Sequence, residues 1–101
     1  MSIKQEPLLW LQGWYKDKTN SVWEHSYGIK IDTIDNPGWK LSVDLKGTLL
    51  EGVILENTSI ERSDDDWIHY KVIDNQFVGY GGPENLSELI TIFRGIYNKK
   101  R

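Results

Sequence analysis

Trp39, Leu41, Val43 and Leu45 alternate with Lys40, Ser42 and Asp44. That period of two belongs to a strand with one buried face. Tyr27, Ile29 and Ile31 alternate in the same way with Gly28, Lys30 and Asp32. Between the two runs lies Asp35-Asn36-Pro37-Gly38, where proline presets its own φ and glycine can supply a positive one, so a hairpin is expected. Ile34 falls off the alternation and predicts a bulge or twist near the turn. Trp23, Glu24 and His25 stand just before the first strand.

The pattern changes period at both ends of the chain. Pro7 to about Lys18 reads as a helix, with proline in the first turn and Glu6 near the positive end of the dipole. Leu8, Leu11 and Tyr15 share one face, while Trp10 and Trp14 form a second stripe that is expected to be buried. At the other end Leu86, Leu89, Ile90, Phe93, Ile96 and Tyr97 fall on one face at helical spacing. Asn85 and Glu88 ahead of them have the form of a capping box. Lys99, Lys100 and Arg101 sit where a helix carboxyl end attracts cations.

The middle of the chain reads as further strands. Val53-Ile54-Leu55 looks like a buried apolar run continuing as a strand to Arg62, and Thr48 to Gly52 is either a short strand or a turn. Ser63 to Asp66 is expected to be a loop. Trp67 to Ile73 is the next strand, with Ile68, Tyr70 and Val72 on one face and Trp67, His69 and Lys71 on the other. Asp74-Asn75 has the form of a two-residue hairpin connection to a strand over Gln76–Tyr80. The predicted fold is α+β: an N-terminal helix, a four- to five-stranded antiparallel sheet and a C-terminal helix, in two layers. Residues 1–101 are expected to form a single domain. The uncovered sheet face would carry Lys30, Asp32, Lys40, Asp44, His69 and Lys71.

Composition narrows the function. The chain has 101 residues, five Trp, five Tyr, no Cys and a net charge of −3. Without cysteine there is neither a disulfide framework nor thiolate metal ligation. Without the three terminal basic residues, 9 basic residues face 15 acidic ones. An acidic body argues against direct nucleic-acid binding and suits a partner with a basic surface. No apolar run is long enough for a membrane span, and no signal peptide opens the chain, so a cytoplasmic location is expected.

Three stretches could carry chemistry. Glu24-His25 could be an acid–base pair or a metal half-site, but neighbours on a strand point to opposite faces. Asp64-Asp65-Asp66 lacks the alternating ligands and central glycine of a calcium loop. Gly79-Tyr80-Gly81-Gly82-Pro83 lacks the lysine of a phosphate loop and reads as a strand-to-helix corner that needs positive φ. The expectation is no catalytic set, no metal, no cofactor and no turnover. Trp23, Glu24, His25, Asp64, Asp65, Asp66 and Trp67 are the candidate partner-binding residues.

These segments also carry a resemblance. Leu11-Gln12 with Trp14-Tyr15, Trp23-Glu24-His25-Ser26-Tyr27-Gly28 and Asp35-Asn36-Pro37-Gly38-Trp39 resemble the immunity protein 53 family of bacterial polymorphic toxin systems. Arg62-Ser63-Asp64-Asp65-Asp66-Trp67 and Gly79-Tyr80-Gly81-Gly82-Pro83 with Asn85-Leu86 continue the match in order. The resemblance implies a small cytoplasmic protein that binds and blocks a cognate toxin domain, with a basic nuclease as the candidate partner by analogy. The alternatives are a small adaptor or structural interaction domain, and a metal-dependent enzyme using Glu24, His25 and the Asp loop.

Overall fold

The computed structural model describes residues 5–100. The expectations placed on Met1 to Lys4 and on Arg101 lie outside the described residues. The elements run α1 (Pro7–Lys18), α2 (Trp23–Ser26), β1 (Ile29–Ile34), β2 (Gly38–Asp44), β3 (Leu55–Ser63), β4 (Asp66–Ile73), β5 (Gln76–Gly81) and α3 (Leu86–Lys100). The five strands form one antiparallel sheet in the order β1-β2-β5-β4-β3. The helices lie on one face of it, so the fold is α+β as expected.

The core follows from the alternation. Leu41, Val43, Leu45, Ile68, Val72 and Phe77 are fully buried on the inner sheet face, and Leu89, Ile90 and Phe93 of α3 meet them. Gly79 and Gly81 let α3 come close, since a Cβ on Gly79 would lie 2.7 Å from the Leu89 side chain. α1 packs mainly against α3 through aromatic edges: Trp10 and Trp14 lie 5.8 and 5.2 Å from the Phe93 ring. The Lys18 ammonium donates to the Tyr97 hydroxyl at 3.0 Å and lies near the Trp14 ring. Arg94, 8 % exposed, donates to the Gln5 carbonyl at 2.7 Å and so ties α3 to the start of α1.

Several expectations are corrected. The buried stripe of α1 is Leu11 and Trp14 with Trp10 partly covered, whereas Leu8 and Tyr15 stay exposed. Trp23–Ser26 is a helical turn rather than a strand start, closed by Asn20 Oδ1 accepting from the Val22 and Trp23 amides. Ile34 pairs with Gly38 in an unbroken ladder, and no bulge interrupts β1 and β2. The register shifts occur in β3 instead, between Leu55 and Thr58 and between Glu61 and Ser63. Val53 to Leu55 is not a buried run, since Ile54 is exposed and the strand begins at Leu55. Thr48 to Gly52, open between a short strand and a turn, is the turn, with Leu50 buried as its plug. The loop at Ser63–Asp66 shrinks to Asp64-Asp65, because Ser63 pairs with Asp66.

The positive φ expected at Gly38 and at the Gly81-Gly82 corner is absent; in the described chain the left-handed glycines are Gly47 and Gly52. A Cβ on Gly38 would instead collide with the Gly81 carbonyl. Close approach is what demands glycine there. Asp74 and Asn75 do take positive φ, 55° and 59°, as a two-residue hairpin with the sheet's natural twist requires.

Candidate functional site

The register places the candidate residues at two opposite corners. β1 starts beside Val43, Phe77 and Val72, and ends beside Gly38, where Trp39, Gly81 and Ile68 lie alongside. Trp23, Glu24 and His25 therefore lie at one end of the strands, on the β1 edge. Asp64, Asp65, Asp66 and Trp67 lie at the other end, on the β3–β4 side. The separation is about 20 Å along the strands alone. The two groups do not form the single surface that the sequence suggested.

At the first corner the side chains are occupied structurally. Trp23 is 5 % exposed, its indole N–H donates to the Lys46 carbonyl at 2.8 Å, and its ring meets Trp14 edge-on at 6.0 Å. It belongs to the core. Glu24 accepts the Asn20 and Ser21 amides at 2.9 and 2.8 Å. Hydrogen bonds from its own amide and from Asn20, with a further one from Ser21, hold its carboxyl below the usual carboxylate range. His25 is exposed on the same helical turn. Glu24 faces the backbone it caps, so it does not converge with His25 as an acid–base pair. Among the described residues no group of three or more His, Cys, Asp or Glu is arranged to hold a metal.

The second corner combines a fixed base with an exposed rim. Arg62 grips Asp66 with two hydrogen bonds at 3.0 and 2.8 Å and reaches Glu88 at 2.6 Å. Asn85, 6 % exposed, donates to Asp66 at 2.9 Å and to Glu88 at 3.1 Å. Its side-chain oxygen accepts the Trp67 amide at 3.3 Å. The expected capping box is thus redirected. The Asn85 carbonyl accepts the first helical bond, from the Leu89 amide, but its side chain bridges to β4. Hydrogen bonds from Arg62, then Asn85, hold the Asp66 carboxyl below its ordinary range, and the two carboxylates raise the Arg62 guanidinium above its own. Asp66 is therefore structural, whereas Asp64 and Asp65 are exposed at the turn.

Trp67 begins the uncovered sheet face. Glu61 pairs with it across β3, and a shallow pocket of about 250 Å³ is lined by Asn36, Glu61, Ser63, Asp64, Trp67 and His69. The His69 ring lies 5.2 Å from that of Trp67 and its Nε2 is 2.8 Å from a Glu61 oxygen. Tyr80 stands opposite both His69 and Lys40, with the Lys40 ammonium 5.7 Å from its ring. This arrangement of carboxylates around an indole face can receive a cationic side chain.

Sequence reasoning missed Glu61 and Tyr80 here. Tyr80 was accessible in principle, because a two-residue turn at Asp74-Asn75 dictates its pairing with His69. Glu61 was not, because the shift between Glu61 and Ser63 resets that register.

No helix among the described residues is long and apolar enough to cross a membrane. No curated protein and no solved structure matches the chain. The family model described as Immunity protein 53 matches residues 8–98, a span that runs from the first turn of α1 to the last of α3 and takes in both corners. With nearly the whole chain matched, the protein belongs to the immunity protein 53 family.

Proposed function

We propose that this protein is a non-enzymatic immunity protein that binds a cognate bacterial toxin domain in the cytoplasm and blocks it. The contact surface is the acidic corner: Asp64 and Asp65 at the β3–β4 turn, and the Trp67 pocket with Glu61 behind it. The observation that carries this choice is the division of labour among the carboxylates. Asp66 and Glu88 are held by Arg62 and Asn85, while Asp64 and Asp65 project beside a partly exposed tryptophan. Exposed like charges around an aromatic anchor suit a basic partner, as a nuclease active site would be. Asp35 and Glu84 lie at the same end of the strands and extend the negative field.

The test starts from the open reading frame beside this gene, expressing the toxin domain that the reading expects it to encode. The two proteins should co-purify, and the toxin should lose activity in the complex. Asp64→Asn with Asp65→Asn should slow association about tenfold at low salt, flatten its salt dependence and leave the melting midpoint unchanged. Wild-type association kinetics in that double variant would remove this corner from the interface.

A further inference from the structure

The two edges of the sheet are built differently. β3 is interrupted by two register shifts, which blunt an edge against further pairing. β1 is the other edge, and its six residues pair with β2 without a break. The hydrogen bond from the Asp44 amide to the Gly28 carbonyl, 3.0 Å, sets the phase of that ladder. Pairs alternate along an antiparallel ladder, so Lys30 and Asp32 turn their backbone groups toward β2. Ile29, Ile31 and Thr33 aim theirs at the open edge.

We infer that β1 pairs antiparallel with β1 of a second copy of this chain, about a twofold axis at Ile31. Two copies related in this way keep odd-numbered residues opposite odd-numbered ones, so each face of the joined sheet stays continuous. Among such registers the charges select one. A shift of one step either way sets Lys30 against Lys30, or Asp32 against Asp32. Centring on Ile31 sets Lys30 of each copy against Asp32 of the other, twice, in the non-hydrogen-bonded positions where side chains approach most closely. Both residues are exposed, and Lys40, opposite Asp32 on β2, turns its ammonium over Tyr80 instead.

The same register places Ile31 against its twin on the inner face. Ile31 is 38 % exposed there, and Leu8 and Tyr15 of α1 are 47 % and 40 % exposed. Leu8 and Tyr15 line a groove of about 330 Å³ that runs to Ile29. A second copy gives these apolar side chains an apolar neighbour, and the facing β1 backbones supply about six hydrogen bonds. Asp64, Asp65 and Trp67 lie on the β3–β4 side of the sheet, away from the paired stretch of β1, so this inference does not rest on the toxin reading.

The experiment is sedimentation equilibrium on the free protein and on Lys30→Asp and Asp32→Lys, separately and mixed. Wild type should show a concentration-dependent dimer. Each single variant sets like charges opposite each other and should raise the dimer dissociation constant about tenfold. Lys30→Asp mixed with Asp32→Lys restores both opposite-charge pairs across the interface. The mixture should form a heterodimer at concentrations where each variant alone is monomeric, a rescue that no effect within one chain can produce. Melting midpoints near wild type would show that both variants are folded. A wild-type protein that stays monomeric at concentrations on the order of 100 µM, or a mixture that forms no heterodimer, overturns the inference.

Discussion

Asn85→Ala removes one side chain that holds three groups on two elements, β4 and α3. Its oxygen accepts the Trp67 amide of β4, and its nitrogen donates to Asp66 and to Glu88 of α3. At 6 % exposure the site is almost closed to water. Truncation leaves the Trp67 amide without that acceptor, which costs about 1–3 kcal/mol for a buried donor. Asp66 and Glu88 lose less, because their side chains are 46 % and 36 % exposed and Arg62 still holds both. The expected cost is therefore about 2–3 kcal/mol, above the ~1 kcal/mol of an ordinary N-cap. Urea unfolding should show a lower midpoint with an unchanged slope. Asn85→Ser separates the two roles. Serine is a good N-cap but is too short to make the bridge, so it should recover only a small part of the loss. A serine variant as stable as wild type would refute the bridge and leave Asn85 a simple cap.

Trp23→Ala should cost about 3–5 kcal/mol of stability, since it empties a site between Trp14 and Tyr27 and removes the bond to Lys46; binding of a toxin domain to the surviving folded fraction should be unchanged. Asp66→Asn should matter least in acid. The folded carboxyl titrates below its unfolded value, so its stabilisation is present at neutral pH and is lost as pH falls below about 4. The stability gap between wild type and Asp66→Asn, measured by urea unfolding, should narrow between about pH 7 and pH 3; a constant gap would mean that the charge of Asp66 contributes nothing.

What the sequence determined by itself was whatever depends on neighbours a few residues apart. The period of two placed Leu41, Val43, Ile68 and Val72 inside, and the period of 3.6 placed Leu89, Ile90 and Phe93 opposite them. Asp74-Asn75 announced its own turn, because that pair tolerates the two positive φ values a tight hairpin needs. The tertiary structure decided what depends on register and strand order. It put Trp23 and the Asp64-Asp65 turn at opposite corners, although each lies next to a strand in sequence. It also changed the meaning of single residues. Asn85 looked like a cap and became a bridge, because strand order brings the start of β4 beside the start of α3. Arg94, which no local pattern singled out, is buried and bonded to the Gln5 carbonyl. Gly38 looked like a turn residue and is needed because Gly81 passes too close for a Cβ. In each case the deciding partner is distant in sequence, and local propensity carries no information about which distant backbone group will arrive.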